Sequence, residues 1–168
     1  TLAHIAGIHA AMSQAKKALA TLEEAKESAV CVHGEDSMML VPILRAMAEV
    51  QGGERNFEAA LKALDRAREL QKAFAPKSME YSHACCRQAI ATVRYAIEAS
   101  ALPPAQREAL VQRAAKLALE SSEAADAAYD SHEGDERVEE VLELIMSDTR
   151  LSELTGCEEA IPDLREHL

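Results

Sequence analysis

Residues 41–76 read VPILRAMAEVQGGERNFEAALKALDRARELQKAFAP, and this stretch decides how the rest of the chain is read. Leu44, Met47 and Ala48 fall at three- and four-residue spacing. After the Gly52-Gly53 pair, Phe57, Ala60, Leu61, Leu64, Ala67, Leu70 and Phe74 do the same. That period is one face of an amphipathic helix, so the stretch predicts two helices joined by a turn at 51–54. Ala75-Pro76-Lys77-Ser78 then ends the second helix, because proline does not continue a helix and serine caps the next one.

The same pattern extends outward in both directions. Ala15, Ala18, Leu19, Leu22, Ala25 and Ala29 form one helical face, and Leu110, Ala114, Leu117, Ala118, Ser121, Ala125 and Ala128 form another. Breaker clusters lie between them at 33–37, 51–54, 75–78, 102–104 and 132–135. Ser37 and Ser78 are the expected N-caps. With 33 alanines in 168 residues, no tryptophan and aromatics at 3%, there is little material for a β-sheet core. The expectation is an all-α chain of about seven helices with short turns. Small residues recur in pairs seven apart: Ala18 and Ala25, Ala60 and Ala67, Ala118 and Ala125. Repetition of this kind predicts helical hairpins that stack through closely packed second helices.

These residues resemble the tetratricopeptide repeat family, particularly the 42-residue form of kinesin light chains. Leu44, Met47 and Ala48 look like the first-helix packing positions, and Phe57 like the aromatic that opens the second helix. Ala60, Leu64 and Ala67 match the small-large-small signature, and Pro76 ends the unit. The segment 33–37 resembles the linker of the longer repeats, with Ser37 and Met38 in place of His and Pro. Repeats of about 1–36, 37–77 and 78–135, with a final helix, give a repeat domain over 1–147. An acidic C-terminal segment follows at 148–168. Both helices of the third repeat read as extended. The resemblance implies antiparallel hairpins stacked as a short right-handed superhelix, a concave face that binds peptides or proteins, and no catalysis.

On that alignment Arg45 and Glu49 point into the concave groove. Arg87 and Arg94, seven apart, share a face of the next first helix with Tyr95 beside them. Arginine and tyrosine combine apolar area with directional hydrogen bonding, which makes them frequent contact residues. The plainer reading is exposed helix residues paired with neighbouring acids. Chaperone-tail binding is not expected, because that subclass pairs Lys with Asn and the single asparagine here is Asn56, in a turn.

The formal charge of -11 is concentrated in residues 130–168, which hold 13 acidic and three basic residues. An acidic chain repels phosphate backbones, so nucleic acid is not an expected partner. No apolar run approaches the ~18–20 residues that cross a bilayer, so direct membrane insertion is not expected. The acidic end is either a solvated terminus or a docking surface for a basic partner. Cys31, Cys85, Cys86 and Cys157 have no disulfide-framework spacing, which points to an intracellular, reducing compartment. Thr1 stands first, leaving open a removed targeting segment, with an organelle as destination, or a piece of a longer protein.

No metal motif, nucleophile elbow or phosphate loop is present in the sequence, and no cofactor is expected. The sequence therefore leads to a non-enzymatic protein–protein interaction scaffold, either a subunit of a multi-subunit complex or an adaptor module. Two alternatives stay open. One is a helical bundle that binds a metal or small ligand through His83, Cys86 and His9. The other is the helical C-terminal region of a larger enzyme.

Overall fold

The architecture comes from a computed structural model, which describes residues 14–99, 102–129 and 133–147. These residues form six helices: α1 (Ala15–His33), α2 (Leu40–Gly53), α3 (Phe57–Phe74), α4 (Met79–Glu98), α5 (Pro104–Tyr129) and α6 (Glu133–Ser147). No strand occurs among the described residues, and the fold is all-α. Residues 1–13, with His4 and His9, and the acidic segment 148–168 lie outside the described residues. The chain divides into two compact units, Thr1–Phe74 and Ala75–Leu168.

In the first unit, α1 packs on α2 through Ala18, Leu22 and Ala25 against Ile43, Met47 and Val50. The other side of the seam joins Leu40, Val41 and Leu44 to Ala67 and Leu70 of α3. Both α1 and α3 lean on α2, and they do not pack extensively on each other. Gly34 ends α1 with φ +84° and ψ 169°, a conformation open essentially only to glycine, while its N–H reaches the Val30 carbonyl at 2.8 Å. Ser37 is not the N-cap expected from sequence: the N-cap of α2 is Met39, without a side-chain cap, and the Ser37 Oγ instead accepts from the Met39 N–H at 3.2 Å in the turn that leads into the helix.

The α2–α3 turn differs from the sequence expectation. Gly52 and Gly53 belong to the last turn of α2, and the left-handed residue is Arg55, at φ +60°. The Asn56 N–H bonds the Gln51 carbonyl at 2.9 Å and the Arg55 N–H bonds the Gly52 carbonyl at 2.9 Å. This hydrogen-bond pair is the Schellman closure, whose left-handed position falls two residues beyond the glycines. Phe74 also departs from expectation. It closes the apolar face of α3 in sequence yet is 75% exposed, because the 18-residue α3 runs a turn past the 14-residue α2.

In the second unit, α4, α5 and α6 each pack on the other two. Ser78 caps α4 by accepting from the Tyr81 N–H at 3.2 Å. Pro104 opens α5, where the missing N–H costs no helical bond. The core joins Ala89, Val93 and Ala96 to Val111, Ala114, Leu117 and Ala118, and to Val141, Leu142 and Ile145 of α6. Small residues bring α4 and α5 close enough for Ser82 Oγ to reach the Ser121 carbonyl at 2.7 Å. Ser121 Oγ returns the bond to the Ser82 carbonyl at 2.9 Å. Next to this clasp the Tyr81 hydroxyl donates to Glu120. Burial, reinforced by that carboxylate, pushes the Tyr81 pKa well above its ordinary value. The breaker cluster expected at 132–135 is also revised, since α6 already begins at Glu133. Gly134 falls in its first turn, where backbone donors lack intrahelical partners in any case.

Candidate functional site

The geometry of the first unit opens a cleft of ≈ 450 Å³ between α1 and α3, with α2 as its floor. Leu40, Leu44, Met47 and Gln51 supply the floor. Their four-three-four spacing puts them on one ridge of the helix, about 16 Å long at 1.5 Å per residue. One wall carries Glu23, Lys26 and Val30 of α1, and the other carries Ala59, Lys62, Ala63 and Arg66 of α3, with Glu35 at one end.

The wall charges are not equivalent. Lys26 Nζ pairs with Glu23 Oε2 at 2.6 Å. Arg66 bridges to the α1–α2 loop, donating to Asp36 Oδ1 at 2.8 Å and the Glu35 carbonyl at 3.0 Å. It also lies 3.6 Å from Glu69 Oε2. The hydrogen bond to Asp36, aided by the field of both carboxylates, raises the Arg66 pKa and holds the guanidinium firmly cationic. By contrast, neither the Lys62 ammonium nor the Glu35 carboxylate has an ion-pair partner among the described residues. Gln51 Oε1 is buried without a hydrogen-bond partner.

The residues named from sequence sit elsewhere. Arg45, half-buried, and Glu49, exposed, are on α2 of the first unit. At 100° per residue they lie about 150° around the helix from the cleft ridge. Arg87 and Arg94 are exposed and Tyr95 half-buried on α4 of the second unit. The five candidates thus divide between the two units. His83 is exposed and Cys86 buried, so the proposed metal pair does not share one environment. Among the described residues no group of three or more His, Cys, Asp or Glu is placed to hold a metal. Cys31, Cys85 and Cys86 are unbridged.

The cleft residues were not singled out from sequence. The available signal was Gln51, a polar residue ending an otherwise apolar ridge, and the Lys62–Arg66 pair at i, i+4.

The described residues form an all-α protein with a cleft in its first unit. No model of a known protein family matches the chain, and neither does any curated protein. No helix of the described residues is long and apolar enough to cross a membrane.

Proposed function

We propose that the chain is a non-catalytic helical scaffold for protein–protein interaction, working as a subunit or adaptor within a multi-protein assembly. The cleft of the first unit is its contact site. The observation that carries this reading is the pairing of an apolar floor, Leu40, Leu44 and Met47, with walls of mixed charge. Recognition sites have this anatomy, in which apolar area supplies affinity and a few polar groups fix orientation. The tetratricopeptide-like pattern of 41–76 agrees with a binding role, although the contact face is the ridge opposite Arg45 and Glu49.

Crosslinking in the native source tests the assignment. Ala59 lies half-buried on the cleft wall, so Ala59→Phe fills the groove from its rim. The expected result is loss of at least tenfold in crosslinks to the principal partner with an unchanged helical circular dichroism spectrum. Arg45→Ala with Glu49→Ala serves as the opposite-face control and should leave crosslinking intact. Loss with the control, and not with Ala59→Phe, would move the contact site to the other face of α2.

A further inference from the structure

Three features of the cleft specify its occupant more closely than its apolar floor does. The first is length. An extended chain covers the ~16 Å ridge with about five residues at ~3.3 Å each, and, unlike the interior of a helix, it presents N–H groups that are not already bonded within the ligand. The second feature is Gln51 at one end of the ridge, whose buried Oε1 has no partner. An unmet acceptor of this kind costs about 1–3 kcal/mol. Rotation of its carboxamide toward a peptide N–H recovers the bond.

The third feature is charge. Of the cations lining the cleft, Lys26 and Arg66 are matched by Glu23 and Asp36. Lys62 has no ion-pair partner among the described residues. Because Leu40 and Leu44 of α2 pack on Leu70 and Ala67 of α3, Lys62 falls along the C-terminal half of α2. Glu35, whose carboxylate is likewise without an ion pair among the described residues, stands just before α2 begins. The groove is therefore polarised along its length, positive near Gln51 and negative near Leu40.

We infer that the cleft takes an extended peptide segment of about five residues with a charge at each end: an acidic side chain over Lys62, apolar side chains on Leu44 and Met47, and a basic side chain over Glu35. The inference rests on the cleft being the partner-contact site. The apolar floor sets affinity, and the end charges set direction, the usual division between these forces. Because both charged groups are exposed, the electrostatic effect lies in orientation and is screened by salt.

The probe is a set of fluorescein-labelled pentapeptides with a leucine-rich centre. They carry acid and base at opposite ends in both orders, alongside a neutral version, and are titrated against the full chain by fluorescence polarisation at low salt. The expected result is a preference of about tenfold for one charge order over the other. That preference inverts in the double variant Lys62→Glu with Glu35→Lys. Equal affinity for both orders, a preference that the double variant leaves unchanged, or no binding by any peptide would each overturn the inference. The crosslinking test separates the two levels. If Ala59→Phe still abolishes partner crosslinks while no pentapeptide binds, the scaffold assignment stands and the charge-polarised peptide is wrong. If Ala59→Phe changes nothing, the site itself is misassigned.

Discussion

In the first unit α1 and α3 both lean on α2 and leave a cleft between them, whereas in the second unit α4, α5 and α6 each touch the other two. Both units bury alanines among larger aliphatic residues, but they differ at the closest helix pair. The first seam sets Leu22, Ile43, Leu44, Met47 and Leu70 among Ala18, Ala25 and Ala67. In the second, Ser82, Cys85, Ala89, Ala114, Ala118 and Ser121 face inward, so two backbones come within reach of each other's serine hydroxyls. Interaxial distance follows the residues at the contact. An open unit can admit a ligand, and a closed one is suited to rigid support.

The contrast predicts opposite sensitivities to side-chain volume. Leu22 is fully buried against α2, and Leu22→Ala leaves a cavity in a seam that depends on bulk. The expected cost is about 2–5 kcal/mol. It is read as faster hydrogen exchange in α1 and α2, since a chain of two units is not safely treated as one two-state transition. A loss under ~1 kcal/mol would mean that the first unit is not held by its aliphatic seam.

In the second unit, gaining volume should hurt more than losing it. Ser82 is fully buried between α4 and α5. Ser82→Leu forces the helices apart and removes the Oγ bond to Ser121, at a cost of about 1–3 kcal/mol. Ser82→Ala removes only the bond and should cost about 1 kcal/mol. Ser121→Ala should behave likewise. The double alanine variant should cost about the sum of the two, because each hydroxyl donates to the other residue's backbone carbonyl, which alanine retains. Hydrogen exchange in α4 and α5 checks this order. If leucine is tolerated as well as alanine, close approach is not what closes the unit.

The helices were legible in the sequence, but the contrast between the two units was not. Helix positions followed from the three-and-four period, and Ser78 was readable as a cap because capping depends on residues only three apart. The serine clasp joins positions 39 apart, so no local pattern could announce it. The cleft depends on how far α1 and α3 stand apart, a tertiary distance that leaves no mark beyond Gln51 on its ridge. Arg45 and Glu49 were chosen by alignment to a repeat, and they lie about 150° around α2 from the ridge that lines the cleft. Phe74 fits the apolar period but overhangs the shorter α2, since periodicity carries no information about where the neighbouring helix ends.

The smallest expected effects isolate backbone conformation at the two ends of the cleft floor. Gly34, just before α2, and Gly52, in its last turn, both have open space where a Cβ would project. Packing therefore cannot distinguish Gly34→Ala from Gly52→Ala. Gly34 holds φ +84° with ψ 169°, and alanine there should cost about 1–3 kcal/mol. Gly52 is helical, and Gly52→Ala should stabilise by about 0.5–1 kcal/mol through lost freedom of the unfolded chain. Thermal melts followed by circular dichroism read both signs. Opposite shifts would place the turn at Arg55 rather than at the glycines. Destabilisation by Gly52→Ala would instead show that the end of α2, and with it the Gln51 end of the cleft, does not rest in a regular helical turn.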